Sequence, residues 1–222
     1  MEINIHKRIL EKNETDADRN RAYFKENNVF VLNMMSSPGS GKTETLCKTL
    51  VHLMPEIRVG VIVGDVCTTN DADRLAVTNA KVTQINTDQF GGDCHLAAHL
   101  IESSAKGLGC DDLDLLIVEN IGNLVCPAEF DIGEDARAVV LSVTEGEDKP
   151  LKYPLMFQVA DIAILNKVDL LPYLDLDAAL AVDNMKKVHP GMPVFELSAK
   201  TQEGFEPWLA WLREKVKEKT AR

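Results

Sequence analysis

The chain contains no apolar run long enough to cross a bilayer, and its start does not read as a signal peptide. Neither a membrane-spanning nor a secreted protein is expected. Cysteine is sparse: five residues, an odd number, scattered at 47, 67, 94, 110 and 126. That is no disulfide framework, and a reducing cytoplasm is the natural setting. Positive charge is short. The net charge of −11 argues against nucleic acid or an anionic membrane as the main partner. Internal repeats, low-complexity tracts and Pro/Gly/Ser-rich linkers are missing too. The expectation is therefore one domain, with a segment and helix over 1–28 leading into a body over 29–222. At 222 residues and 45% hydrophobic content, the chain can bury one α/β core.

What is present is an alternation of strands and helices. Runs rich in Val, Ile and Leu predict strands near 29–35, 57–63, 82–86, 113–118, 138–143, 161–165 and 193–197. Most are nearly continuous, as strands buried on both faces are. Helical spacing predicts helices near 16–28, 42–53, 71–79, 93–106, 175–188 and 204–219. The last places Trp208, Leu209, Trp211 and Leu212 on one side and Lys and Glu on the other. This order predicts an α/β, three-layer fold with a mostly parallel sheet of about seven strands between helices.

Between the first of these strands and the helix after it lies Ser36-Ser37-Pro38-Gly39-Ser40-Gly41-Lys42-Thr43. Strand, Gly-rich loop and helix in that order make a phosphate-binding loop. Backbone N–H groups from Gly39 through Ser40, Gly41 and Lys42 to Thr43 would point at phosphate, with the dipole of the helix behind them. Lys42 would bridge β- and γ-phosphates, and the Thr43 hydroxyl would ligate Mg²⁺; Glu44 joins the same first turn. The first Gly of the general G-x-x-x-x-G-K-[ST] pattern is replaced by Ser36. A Gly-rich turn that binds nothing is the plain alternative, and the flanking elements argue against it.

A second motif selects the base. Asn166-Lys167-Val168-Asp169 closes an apolar run, at the carboxyl end of a strand, where open α/β sheets bind ligands. Asp169 can accept from both the N1–H and the amino group of guanine, an arrangement adenine does not offer. Asn166 would address the opposite edge of the base, and the Lys167 stem would lie over its face. Ser198-Ala199-Lys200, after another strand, would close over the guanine.

Two strand-end acids would complete the phosphate side. Glu119, at the end of Leu115–Val118, would hold Mg²⁺ through a water, and Gly122 would sense the γ-phosphate. Asp65 would join the Mg²⁺ shell. A helix cap or a surface turn is the alternative for either acid. Asn123 occupies the place where small signalling GTPases put a Gln that orients water, which predicts slow hydrolysis. Asp71 either supplies that function or caps the following helix.

Sulfur and imidazole set the chain apart from an ordinary GTPase. In Gly91-Gly92-Asp93-Cys94-His95-Leu96-Ala97-Ala98-His99, Asp93 would cap a helix, with Cys94 in its first turn as thiolate. His95 and His99 would then share a helix face. With Cys126, four residues past Gly122, they form a ligand set suited to Zn²⁺ or Ni²⁺. One subunit supplies few ligands, so sharing across a two-fold axis is plausible. Singly, each residue also fits an ordinary role as a small buried thiol or a surface histidine.

Together these motifs resemble the hydrogenase nickel-incorporation GTPases. The carrying stretches are Ser36–Thr43, Gly64-Asp65, Cys94-His95-Leu96, Glu119–Pro127, Glu145–Pro150, Tyr153-Pro154 and Asn166–Asp169. The resemblance implies a P-loop NTPase fold, GTP/GDP and Mg²⁺ as ligands, GTP hydrolysis, a GTP-dependent homodimer and a metal site at its interface. It also implies a small nickel metallochaperone and a hydrogenase large-subunit precursor as partners. The first residues, Met1 to Lys7, hold neither a Cys-rich motif nor a His-rich tract, so no separate nickel store is expected there. The related urease accessory GTPases place His after Cys-Pro, where this chain has Ala128. A regulatory GTPase without metal would leave Cys94, His95 and Cys126 unexplained.

Asp169→Asn is expected to turn preference from guanine to xanthine nucleotides by roughly 10³-fold or more in competition binding. Binding of ATP by the wild type as tightly as GTP would remove the assignment of Asn166–Asp169.

Overall fold

The β-branched and Leu-rich runs become seven strands: β1 Phe30–Ser36, β2 Val59–Asp65, β3 Lys81–Asn86, β4 Leu115–Gly122, β5 Ala136–Ser142, β6 Ile162–Asn166 and β7 Val194–Leu197. The computed structural model describes residues 2–54, 56–65, 70–87 and 94–221, without the side chains of 2–6, 70 and 73. The expected cap Asp93 and the thiol of Cys67 lie outside the described residues. All strand pairs are parallel, in the order β3-β2-β4-β1-β5-β6-β7. The fold is an α/β P-loop NTPase of three layers.

Helices cover both faces because alternate side chains of each strand point to opposite sides. Leu32, Met34, Val61, Ile117, Val140 and Ile164 form one inner surface, closed by α2 (Lys42–Leu53), α3 (Asn70–Ala76) and α9 (Phe205–Thr220). Val31, Ile62, Leu116 and Val118 form half of the other surface, under α1 (Glu2–Asn27) and α4 (Ala98–Gly107). Met35, Val139, Leu141 and Leu165 form the remainder, under α5 (Cys126–Glu129), α7 (Pro154–Val159) and α8 (Ala178–Val188); α6 (Lys149–Lys152) precedes α7. The outer strands are the modest ones: β3 is largely half-buried and starts with exposed Lys81, while β7 has four residues.

Several boundaries differ from expectation. The N-terminal helix begins at Glu2, well before Asp16. Its early turns have no apolar stripe to announce them, and pairs such as Lys7–Glu11 support them instead. The helix expected from 93 begins at Ala98. β4 runs on to Gly122 and β2 to Asp65, so the acids Glu119 and Asp65 belong to the ladder. Helices α5, α6 and α7 span only 4, 4 and 6 residues, each with Pro in its first turn, too short for a periodic signal.

Trp208 shows how tightly the first face is held. It is 0% exposed, donates to the Thr49 hydroxyl at 2.9 Å and stacks on Trp211. Trp208→Ala is expected to cost about 3–5 kcal/mol and lower the thermal midpoint by roughly 10 °C, read by calorimetry.

Candidate nucleotide and metal site

β2, β4 and β1 lie side by side and end on one edge of the sheet, so their termini deliver polar groups to one place. A cavity of about 610 Å³ opens there, walled by the loop from Pro38 to Glu44 and by Asp65, Asp71, Glu119 and Lys167. The loop turns through two left-handed glycines, Gly39 at φ +75° and Gly41 at φ +95°. Gly41 has a second constraint: a Cβ there would meet Asn166 Nδ2 at 2.4 Å.

Lys42 is nearly buried and donates to Ser36 Oγ at 2.9 Å. The residue in place of the usual Gly is therefore the partner of the loop lysine. Burial pulls the Lys42 ammonium down in pKa, and Glu119, Asp71, Glu145 and Asp65 oppose that. Thr43 Oγ1 donates to Glu119 Oε1 at 2.7 Å. Burial pushes the Glu119 carboxyl up, against Lys42 and the Thr43 bond. Glu119 Oε2 and Ser40 Oγ are buried and lack a hydrogen-bond partner among the described residues. An orphaned carboxylate oxygen beside a threonine hydroxyl suits a hard cation such as Mg²⁺, and an orphaned loop hydroxyl suits a phosphate.

At the far end of the loop, Asn166 makes bonds that its motif alone did not foretell. Its Nδ2 donates to Ser40 O at 3.0 Å, and its Oδ1 accepts from Lys167 N at 2.7 Å and Ala199 N at 3.1 Å. The amide ties three loops together, and the second hydrogen of its Nδ2 is left for a base edge. Lys167 takes the left-handed conformation and donates from Nζ to Gly39 O at 2.7 Å. Ser198 Oγ donates to Asp169 Oδ1 at 2.6 Å, which orients the carboxylate; Lys200 is exposed. At the rim, Glu44 pairs with Arg74 and Lys48, and Arg74 with Asp71. Asp71 sits inside α3 and not at its cap position, so the capping alternative falls away.

Cys94 and Cys126 converge, with their sulfurs 2.6 Å apart as free thiols. Two sulfurs bound to one tetrahedral zinc lie roughly 3.8 Å apart, so seating a metal would widen the pair. Because α4 begins at Ala98, Cys94 receives no helix dipole. Burial pushes the Cys126 thiol up, and the Cys94 sulfur adds to the shift. With the Cys126 thiol pushed up, a metal would have to displace its proton. His95 precedes α4, so it shares no helix face with His99. Its ring stacks on Phe130 at 3.6 Å, and both histidines line a separate cavity of about 370 Å³ beside α1. Among the described residues, no three His, Cys, Asp or Glu side chains gather to hold a metal.

The sequence reading missed how the Cys94 segment is fixed. The Leu96 side chain fills the space over Gly64, where a Cβ would meet it at 2.8 Å. Leu96 N donates to Asn120 Oδ1 at 3.3 Å, and Asn123 Nδ2 to Cys94 O at 3.4 Å. Gly64 and Asn120 are the chain neighbours of Asp65 and Glu119. It also gave no role to Glu145, whose carboxylate accepts from the Ser37 hydroxyl and from Ser142 N. An acid three residues beyond β5 was the available signal.

Residues 30–196 match the family described as CobW/HypB/UreG, nucleotide-binding domain. The hydrogenase maturation factor HypB of Rhizobium leguminosarum bv. viciae is 49% identical over 210 residues, 95% of this chain and 69% of that protein. Among solved structures, HypB from Archaeoglobus fulgidus superposes with a TM-score of 0.86 at 37% identity, covering 93% of this chain and 99% of that one. HypB from Helicobacter pylori in complex with nickel gives 0.85 at 38% identity, covering 93% and 96%.

Lys42→Ala is expected to remove phosphate release from GTP by at least about 10²-fold, since it deletes a charge aimed at the site. Circular dichroism should show an unchanged fold, because the Lys42 side chain lines the cavity and donates to the loop.

Proposed function

Since the chain belongs to the CobW/HypB/UreG family, on its HypB-type hydrogenase maturation branch, we propose that its GTPase cycle controls a nickel site during [NiFe] hydrogenase maturation. The observation that carries this reading is the seat of Leu96 on Gly64 and Asn120. It sets the Cys94 segment directly on the two strand ends that carry Asp65 and Glu119.

GTP fits the loop from Gly39 to Thr43, with Lys42 at the phosphates, and Asp169 reads the guanine. Thr43, Glu119 and Asp65 would hold Mg²⁺, which would neutralise phosphate charge when bound. Gly122 is well placed to feel the γ-phosphate: a Cβ there would meet Pro38 of the loop at 3.0 Å. Loss of that phosphate changes the strand end, and both cysteine segments hang from it, Cys126 through 123–125 and Cys94 through Leu96 and Asn123. Both are carried by the same strand end.

Nickel is the cargo, with zinc able to occupy the same thiols. One chain offers two converging sulfurs, fewer than a closed site needs, so the site is completed by a second copy. Exposed Val125, Leu151, Leu155, Tyr173 and Leu174 around the α5–α8 layer give that copy an apolar face. Turnover is slow, below about 10 s⁻¹, because Asn123 and not Gln follows Gly122. The four described cysteines are free thiols, as in a reducing cytoplasm. The cargo comes from a small metallochaperone and goes to a hydrogenase large-subunit precursor.

Ni²⁺ titration with GDP and with a non-hydrolysable GTP analogue tests the coupling. Affinities are expected to differ about 5–150-fold, and Cys126→Ser to lose both the tight binding and the difference. Equal affinities in the wild type would leave only a structural staple. Wild-type affinity in Cys126→Ser would leave a GTPase without this metal site.

A further inference from the structure

The buried stripe of α1 is made of the wrong residues for a helix that merely covers a sheet. Asn13, Asp16, Ala17, Asn20 and Phe24 follow helical spacing and are 7%, 5%, 1%, 0% and 1% exposed. Two of the five are asparagines, poor helix formers whose burial costs free energy unless every bond is made. A leucine would cover the sheet at lower cost. Their hydrogen bonds explain their presence, although Asn20 Oδ1 stays buried without a partner among the described residues.

Each amide joins the same two segments. Asn13 Oδ1 accepts from Ala98 N at 2.9 Å, and its Nδ2 donates to Asp131 O at 2.7 Å. Asn20 Nδ2 donates to Ala98 O at 2.7 Å and to Ile132 O at 2.9 Å. Ala98 opens α4, four residues after Cys94; Asp131 and Ile132 follow α5, which Cys126 opens. The cap residue of α4 is Ala97, with no side-chain oxygen, so a neighbouring helix lends the missing acceptor. Gly133 lets the second segment approach: a Cβ there would meet Ala17 O and Asn20 Cβ at 2.6 Å. Arg21 and Asp131 pair at 2.8 Å on the outer side.

We infer that Asn13 and Asn20 are positioning residues of the metal site: they buckle the Cys94 and Cys126 segments together and so set the spacing of the two sulfurs. This rests on the reading of Cys94 and Cys126 as metal ligands. Neither amide reaches the phosphate loop, so nucleotide binding is independent of them. Buried polar contacts of this kind specify one arrangement more than they stabilise it.

The test uses the full chain and four variants: Asn13→Asp, Asn20→Ala, Cys94→Ala and Cys126→Ser. Asn13→Asp keeps an acceptor for Ala98 N and loses the donor to Asp131 O, so it separates capping from buckling. Three quantities are measured: GDP affinity, Co²⁺ affinity from the thiolate-to-cobalt absorption, and the rate at which dibromobimane bridges the two thiols without metal. Cys126→Ser sets the background of the bridging reaction. Asn13→Asp and Asn20→Ala are expected to keep GDP affinity within twofold, slow bridging at least fivefold and weaken Co²⁺ at least tenfold. Wild-type bridging and Co²⁺ affinity in both asparagine variants would overturn the inference. So would loss of GDP binding in both, since the amides would then hold the fold and not the site. If Cys94→Ala binds Co²⁺ as the wild type does, the metal reading fails; the metal-free bridging rate still decides whether the asparagines set the spacing.

Discussion

A carboxylate inside a parallel sheet is the constraint around which this structure is arranged. Glu119 is 3% exposed, one oxygen held by Thr43 and the other without a hydrogen-bond partner among the described residues. Burying a carboxylate is expensive, and its charge is kept near neighbouring cations to reduce that cost. Lys42 is the nearest such cation; burial disfavours its charge as well, so the two compensate each other across the cavity. The rest follows from holding that pair in place. Ser36 accepts from the ammonium, Glu145 holds Ser37, and Asn166 ties the loop to β6 and to Ala199.

The same strand end governs the thiols. Asn120, beside Glu119, binds Leu96 N and also donates to Asn33 Oδ1 at 3.2 Å, continuing a buried polar chain to Glu134. Burial pushes the Glu134 carboxyl up while Arg137 pulls it down. Glu134 Oε2 accepts from Ile132 N at 2.8 Å, in the segment that Asn20 grips. The two ends of the Cys126 region are thus anchored to one polar network, one through β4 and one through the start of β5. Such networks have few alternative arrangements, because a half-made one leaves polar groups buried and unpaired.

The five inner strands were legible in the sequence because each is a run of residues buried on both sides, and the two outer ones because Val, Ile, Phe or Leu still recur in them. The phosphate loop was legible because Gly39, Gly41, Lys42 and Thr43 answer to local chemistry alone. Asn166 was legible in type and position, but its bonds to Ser40 and Ala199 were not, lying 126 and 33 residues away. The helix face expected to join His95 with His99 did not form, since α4 starts only at Ala98 and the stacking of His95 on Phe130 is invisible to helical spacing. Asn13 and Asn20 carried no signal, Asn13 falling before the helix expected from 16, because a polar stripe gives no sign of the carbonyls it will meet.

An open sheet always has two borders, and their design limits how copies can meet. The borders here are β3, half-buried with Lys81 at its start, and β7, four residues long. Short or charged borders are poor templates for another chain's backbone. A second copy therefore finds no ladder to extend and must engage helices and loops through side chains. Contacts of that kind come apart when a few side chains shift, whereas a shared ladder would have to be unzipped bond by bond. The proposed cycle, in which copies would join and part with each nucleotide, needs borders that do not adhere.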